Sequence, residues 1–311
     1  MDGVAERLAP FIRRTPLIKS NGLSDRFDRP IYLKLENLQR SGSFKYRPAL
    51  NSILTQLTSA KEFGVVTSSS GNFAGAVALA AKELQIDATI VMRPSASSFK
   101  VDRVKSWGAH VHLCEDNYEA REATVAEFVE TRQLIRLHPH DSESTVLGDA
   151  TVALEVIEQL PDVGSIVVPC SGAGLLGGVA LAANRHDKLI KVVGVQPEAN
   201  GTLRLSLDSN CRVGRSGIET VADGLTAAIP GEIGFALTQS LVDDVVTVSE
   251  SSLIEATKMV FEVEGQFVEP AGAAGLAAVL EGKAPNDGSP TVLIVTGGNV
   301  DPVLWAAWVS R

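Results

Sequence analysis

The chain has little cysteine, no surplus of positive charge and no long apolar run. Its three cysteines, Cys114, Cys170 and Cys211, are widely spaced and odd in number. They make neither a disulfide framework nor a zinc motif, and a reducing compartment, the cytoplasm, is expected. Lys and Arg number 28 against 37 Asp and Glu, for a net charge of −9. That balance argues against nucleic acid or an anionic membrane as a partner, so any anionic ligand has to be held by a local feature. No apolar run reaches the roughly 18 residues of a membrane-spanning helix, and residues 1–7 lack the apolar region of a secretory signal. What is left, 311 residues of which 45% are hydrophobic and 21% charged, is the composition of a globular protein with a sizeable core and about two domains.

The positive signal is an alternation of element types. Apolar, β-branched stretches at 31–35, 64–67, 88–92, 110–113, 165–169, 191–196, 244–248 and 291–296 read as strands. Amphipathic stretches at 71–84, 99–107, 118–131, 144–159, 174–184, 251–264 and 271–281 read as helices. This order implies βαβ units and an α/β fold of two open, twisted, mostly parallel sheets flanked by helices. The block from 64 to 141 is a self-contained run of such units. Two domains are therefore expected: a large one of residues 1–63 and 142–311, and a small mobile one of residues 64–141.

Three of these strands run into Gly-rich turns: Ser68-Ser69-Ser70-Gly71-Asn72, Cys170-Ser171-Gly172-Ala173-Gly174 and Thr296-Gly297-Gly298-Asn299. Ligands collect at the carboxyl ends of strands in open α/β sheets, and small residues let backbone approach a ligand closely. The segment Ser171-Gly172-Ala173-Gly174-Leu175 opens an Ala/Gly-rich helix, whose free N–H groups attract an anion such as a phosphate. No Gly-Lys-Ser/Thr follows, so it is not a Lys-bearing P-loop, and it is not a dinucleotide fingerprint. Tight packing alone gives the same turn. The hydroxyl, amide and N–H groups of 68–72 and 296–299 can receive a carboxylate or a heteroaromatic nitrogen, and they are equally ordinary turn chemistry.

A further constellation is Ser41-Gly42-Ser43-Phe44-Lys45-Tyr46-Arg47-Pro48. Pro48 suits the first turn of a helix, which leaves Lys45 just ahead of it. The helix macrodipole and burial beside Phe44 both favour the neutral, nucleophilic amine there. A surface lysine ahead of a helix is the plainer alternative for this segment alone.

In combination these segments carry a resemblance. Lys45 in Ser-Phe-Lys-x-Arg, Ser70-Gly71-Asn72, the loop 171–175, Glu219-Thr220-Val221-Ala222-Asp223-Gly224, Glu269-Pro270-Ala271-Gly272 and Thr296-Gly297-Gly298-Asn299 occur in one order. They are preceded by Arg14-Thr15-Pro16-Leu17 and Tyr32-Leu33-Lys34-Leu35-Glu36-Asn37. The chain resembles, over nearly its whole length, the fold-type II pyridoxal-phosphate enzymes with the tryptophan synthase beta-like fold. Within them it is most similar to the serine racemase and serine/threonine dehydratase branch. By that resemblance Lys45 would hold pyridoxal 5'-phosphate as a Schiff base and act as the base at Cα. Phe44 would lie against the ring, Asn72 would bond its phenolic oxygen, and Ser171, Gly172, Ala173, Gly174 and Leu175 would cradle the phosphate. Thr296 would face the pyridine nitrogen, with Gly224 near the ring, while Ser69, Ser70 and Asn72 would surround the substrate carboxylate.

The resemblance also sets expectations about the reaction. A neutral Thr296 cannot keep the pyridine nitrogen protonated as an aspartate would, which suits elimination of a β-substituent or rapid reprotonation better than transamination. The expected activity is loss of water from a small β-hydroxy amino acid (serine, threonine or 3-hydroxyaspartate), giving a keto acid and ammonia. Ser70 stands where racemases of this branch have serine and many dehydratases have alanine. A racemase using Lys45 and Ser70 on opposite faces of the substrate is therefore the alternative, and a non-catalytic cofactor-binding protein a further one. Arg121 matches a position that can reach a substrate's distal group; a solvated helix arginine near Glu119 and Glu122 is its plain reading.

Several positions depart from the family pattern. Pro48 replaces the usual glycine after Arg47, and Phe73 follows Asn72 where histidine is frequent. The family's divalent-cation carboxylates correspond here to Gln196, Asn200 and Thr202, so no tightly bound metal is expected, with Glu198 the one carboxylate able to serve a shifted site. A homodimer is expected by resemblance, and no appended regulatory domain.

Overall fold

The computed structural model describes residues 2–115, 117–186 and 188–310. Its strands are β1 Leu17–Lys19, β2 Ile31–Leu35, β3 Val65–Ser68, β4 Ala88–Met92, β5 His110–Leu113, β6 Ile135–Arg136, β7 Ser165–Pro169, β8 Lys191–Pro197, β9 Asp244–Val248 and β10 Thr291–Val295. They form a six-stranded sheet in the order β1-β2-β10-β7-β8-β9 and a four-stranded sheet in the order β5-β4-β3-β6. Every pairing is parallel except that of β1 with β2. This is the α/β architecture expected, with both sheets open and flanked by helices.

The eight expected strands are present to within a residue or so at their ends. The two missed strands are short for a reason. Leu17–Lys19 is a three-residue antiparallel edge, and Ile135–Arg136 pairs only with Val65 and Val66. Neither is long enough to show a period-2 pattern.

Side chains alternate across the large sheet and build two cores. On one face Leu33, Val167, Val195, Leu293 and Val295 pack against the Glu250–Glu264 and Pro270–Leu280 helices. On the other, Ile166, Val168, Val192, Val292 and Ile294 pack against the Glu143–Gln159 and Gly174–Ala183 helices. A third cluster joins the small sheet, through Val65, Ile90 and Met92, to the Asn72–Leu84 helix and to Tyr46, Ala49, Leu50 and Ile53 of the Tyr46–Leu54 helix. The turns that end β3, β7 and β10 face one another across the space between the sheets and line a common cavity. No helix among the described residues is long and apolar enough to cross a membrane.

Candidate active site

That cavity, of about 260 Å³, is lined by the residues that the resemblance assigns to cofactor and substrate: Phe44, Lys45, Ser69, Ser70, Asn72, Arg121, the loop 171–175, Gly224 and Thr296. Lys45 enters it from the residue preceding the Tyr46–Leu54 helix. Its backbone is tied to the large sheet: Phe44 N–H donates to Thr296 O at 3.0 Å, and Ser43 bridges Gly297. The helix behind it is pinned by Arg47, whose guanidinium donates from Nε and Nη2 to the two carboxylate oxygens of Glu36, each at 2.8 Å, and from Nη1 to Glu155 at 2.7 Å. Lys45 Nζ donates to Pro139 O at 2.6 Å and lies 4.8 Å from the Phe44 ring centre and 5.8 Å from that of Phe73. Burial lowers the pKa of this amine, against the opposing pull of the Asp149 carboxylate. A lower pKa makes the deprotonated amine, a nucleophile and a base, easier to reach.

Opposite Lys45, the loop Ser171–Leu175 leads into the Gly174–Ala183 helix. Ala173 is left-handed, with φ 67°, which turns the chain sharply into that helix. A methyl group on Gly172 would overlap the His140 ring, and one on Gly174 would meet His140 O at 2.7 Å and Asp149 Oδ2 at 3.2 Å. Only glycine allows the loop to lie this close to the wall behind it. The Ser171 hydroxyl oxygen accepts Ala227 N–H at 2.7 Å, so the loop is also fixed from the side. The free N–H groups of the helix start make this end of the cavity an anion site.

The third wall orients an amide. Asn72 Nδ2 donates to Glu269 Oε1 at 2.6 Å, and Asn72 Oδ1 accepts from Asn299 Nδ2 at 2.7 Å. Glu269 is buried, its Oε2 lacks a hydrogen-bond partner, and burial pushes its carboxyl up to about 7. Gly224 closes this side, where a methyl group would meet Ala271 Cβ at 3.1 Å. Thr296 Oγ1 is buried and, among the described residues, has only a long 3.4 Å bond to Ala271 O, so its hydrogen is available to a ligand. At the end of β3, Ser70 Oγ accepts Arg93 N–H at 3.1 Å, and Ser69 N–H donates to Val91 O at 3.1 Å. Arg121 lines the outer rim, its Nε donating to Asn117 O at 3.4 Å.

The positions corresponding to a cation site do not suit one. Gln196 Oε1 already accepts the N–H groups of Leu203 and Arg204 at 3.0 and 3.2 Å. Asn200 Nδ2 donates to Leu225 O at 2.6 Å and to Ser171 Oγ and Ala227 O at 3.3 Å each, and Thr202 Oγ1 donates to Asn200 Oδ1 at 3.1 Å. A neutral NH₂ group thus takes the oxygens that a cation would draw in, with no carboxylate in the set, and Mg²⁺ or Ca²⁺ needs hard anionic oxygens. Glu198 is exposed. No cluster of three or more His, Cys, Asp or Glu among the described residues could hold a metal.

Sequence reasoning missed Arg93, His138, His140 and Asp149, and it assigned Glu269 no role. The signal for the histidines was there in His138-Pro139-His140, at the end of the block 64–141. Their rings meet edge to face at 4.7 Å. Burial depresses both, His138 to about 4 and His140 well below its ordinary value, so they face the anion loop as neutral groups. Asp149 is fully buried and neither carboxylate oxygen has a hydrogen-bond partner; burial raises its pKa, opposed by Lys45.

Comparison with known proteins agrees with this geometry. The family described as "Pyridoxal-phosphate dependent enzyme" matches residues 8–297. A serine racemase of Oryza sativa subsp. indica is 37% identical over 311 residues, covering 98% of this chain and 91% of that protein. An L-threonine ammonia-lyase of Geobacter sulfurreducens is 37% identical over 306 residues, covering 98% and 76%. The structure of maize serine racemase matches with a TM-score of 0.93 at 37% identity, covering 99% of this chain and 95% of that one. The cavity fits the cofactor: an amine whose pKa burial lowers for its aldehyde, free N–H groups at a helix start for its phosphate, and a buried hydroxyl for its ring nitrogen. Residues and comparisons converge on one assignment: the chain belongs to the pyridoxal-phosphate dependent enzymes.

Proposed function

We propose that the protein is an ammonia-lyase that removes water from a small β-hydroxy amino acid and yields a keto acid and ammonia. The observation that carries this reading is the Lys45 amine, its pKa lowered by burial, set in one cavity with the anion loop 171–175 and the Ser69–Asn72 turn. When bound, pyridoxal phosphate supplies the electron sink that makes the Cα proton removable. Lys45 would hold the cofactor in the resting protein, and once the substrate's amino group has displaced it, the freed amine would take the Cα proton. Phe44 packs along the ring, and the N–H groups of Ser171–Leu175 bind the phosphate. Asn72, oriented by Glu269 and Asn299, presents its remaining amide hydrogen to the phenolic oxygen. Ser69, Ser70 and Asn72 receive the substrate carboxylate. Thr296 donates to or accepts from the ring nitrogen without fixing a proton there, which favours expulsion of the β-hydroxyl over transamination; Gly224 leaves room beside the ring. The printed names of the relatives, threonine ammonia-lyase and serine racemase, support this class of substrate.

A racemase is the second reading, and one contact favours it. The Arg93 N–H donated to Ser70 Oγ stabilises negative charge on that oxygen and leaves its own hydrogen free to move, as an acid on the face opposite Lys45 must. Residues 64–141 form the small domain that closes over substrate, and the remainder forms the large one. A second copy of the chain covers the exposed Val303 and Leu304 beside Phe261, Phe267 and Trp305, making a homodimer. The sparse, widely spaced cysteines suit a cytoplasmic location.

The test is to incubate the holoenzyme with L-serine, L-threonine and the 3-hydroxyaspartates, and to measure keto acid and inverted enantiomer side by side. Keto acid in excess supports the lyase, and inverted enantiomer in excess the racemase. Lys45→Ala is expected to lose both turnover and the visible absorbance of the bound cofactor; retention of either overturns the assignment of Lys45.

A further inference from the structure

The charges around the cavity do not balance for a substrate with a single carboxylate. Four side-chain cations line it: Lys45, Arg93, Lys100 and Arg121. Lys45 is the reacting amine, and Lys100 is paired with Asp223 across the mouth. Arg93 and Arg121 form no ion pair with a carboxylate among the described residues. Glu122, the acid beside Arg121, is taken by Arg136, and the nearby carboxyl of Glu269 is engaged by Asn72. Among the described residues the only side-chain bond of Arg121 is the long one to Asn117 O, and Arg93 Nε is buried without a partner. Burying an unpaired guanidinium edge is costly. The α-carboxylate at 69–72 and the phosphate at 171–175 have their own backbone donors and leave both arginines over.

The topology places the two arginines where a second substrate anion would reach. Strands β3, β4 and β5 lie side by side and parallel. The Ser69–Asn72 turn ends β3, Arg93 follows the last residue of β4, and the Tyr118–Arg132 helix bearing Arg121 follows β5. The turn and Arg93 are stitched together by Ser69 N–H to Val91 O and Arg93 N–H to Ser70 Oγ. Neighbouring strands are about 4.8 Å apart, close to the span between the carboxyl groups of a four-carbon diacid. Arginine's planar fork is the side chain that matches a carboxylate in two parallel hydrogen bonds.

We propose that the substrate carries a second carboxylate on its β-carbon, a β-hydroxy dicarboxylic amino acid of the 3-hydroxyaspartate class, and that Arg93, with Arg121, is the residue that reads it. The inference rests on the lyase reading and narrows it. The Cα proton goes to Lys45 Nζ, the Cβ–O bond breaks and the hydroxyl leaves as water. A water is taken back as the amino group leaves as ammonia, so the amino diacid becomes a 2-oxo diacid plus ammonia with no oxidant or reductant.

The experiment compares kcat/KM of the holoenzyme for threo- and erythro-3-hydroxyaspartate, L-serine and L-threonine, and measures succinate binding by its perturbation of the cofactor's absorbance. One hydroxyaspartate diastereomer is expected to exceed serine by 100-fold or more. Arg93→Met is expected to cut that ratio at least 30-fold, mainly through KM, and to weaken succinate at least 30-fold; Arg93→Lys should recover only part of it. Turnover of serine or threonine with no preference for the diacid overturns the inference and leaves the lyase reading standing. Absence of any turnover, together with succinate binding indifferent to Arg93, overturns both. If Arg93→Met does not fold, the wild-type contrast between succinate and butyrate decides: equal affinity overturns the proposal.

Discussion

Arg47 grips Glu36 through two parallel hydrogen bonds of 2.8 Å with both side chains fully buried, two residues beyond the lysine that faces the cavity. The same guanidinium reaches Glu155, which also holds Lys34 at 2.6 Å. This network sets where the Tyr46–Leu54 helix starts and so where Lys45 points. Breaking one member of a buried pair leaves the other charge uncompensated, typically at a cost of about 3–5 kcal/mol. Arg47→Met is expected to destabilise the protein by that order, read as a fall in the urea midpoint, and to weaken cofactor binding. Adding Glu36→Leu should recover most of the lost stability, because it removes the orphaned charge. A single variant as stable as the wild type would show that the pair contributes nothing.

A second expectation concerns cations. Asn200 donates to Leu225 O, Ala227 O and the Ser171 hydroxyl, at a position where the resemblance would put a cation ligand. Dialysis against EDTA, with or without later addition of Mg²⁺ or Ca²⁺, should change neither thermal stability nor turnover. Asn200→Asp turns a donor into an anion facing two carbonyl oxygens, and should lower cofactor affinity about tenfold or more. Added Ca²⁺ should recover part of that loss, since a carboxylate beside two carbonyls is a hard-oxygen set. A wild-type enzyme inactivated by EDTA and revived by Mg²⁺ contradicts the argument.

The parts of this site legible in the sequence are those where local chain geometry meets chemistry. Lys45 ahead of Pro48, the small residues of 171–175 and the turn at 69–72 each need their residue types for a local reason, and the strand-end rule places them together. What was illegible depends on contacts far apart in the chain. Lys45 meets Pro139 across 94 residues and Asn72 meets Glu269 across 197. The two-residue strand Ile135–Arg136 delivers His138 and His140 to the cavity, and it is too short to leave a pattern. Asp149 sits mid-helix in an ordinary amphipathic run, and nothing in Gly148-Asp149-Ala150 distinguishes a solvent-facing acid from a buried one. Arg93 reads as a loop arginine until β4 is seen beside β3.

Glu269 gives a pH prediction whose sign can be worked out. Burial raises its carboxyl from the ordinary 4.5 to about 7. Below about pH 4.5 it is protonated in both folded and unfolded chains and contributes no difference. As pH rises toward 7 the unfolded chain gives up the proton first, so folding stability falls through that window and levels off above it. The full effect is about 3 kcal/mol at most. Glu269→Gln retains an oxygen for Asn72 and cannot ionise. The cofactor-free variant should therefore match the wild type near pH 4.5 and gain on it progressively up to about pH 7, measured by urea unfolding across that range. A stability difference independent of pH excludes a titrating Glu269.

The tightest constraint on the anion loop is at Gly172. An added methyl there would overlap the His140 ring, with Nδ1 only 2.7 Å away. That ring has little room to retreat, since it packs edge to face on His138, while the His140 carbonyl lies against Gly174. Overpacking of this kind costs about 1–3 kcal/mol, and here it would fall on the loop that binds phosphate. Gly172→Ala is expected to weaken cofactor affinity by about 10- to 100-fold, measured by absorbance titration of the cofactor-free protein. Combining it with His140→Ala should restore most of the affinity by giving the methyl a place to go. Gly71→Ala is the steric control for folding: its added methyl meets nothing within 4 Å, and its melting temperature should stay at the wild-type value. Wild-type affinity in Gly172→Ala would mean that the loop can move away from His140 freely, and that close approach of backbone to the ligand is not what the glycine provides.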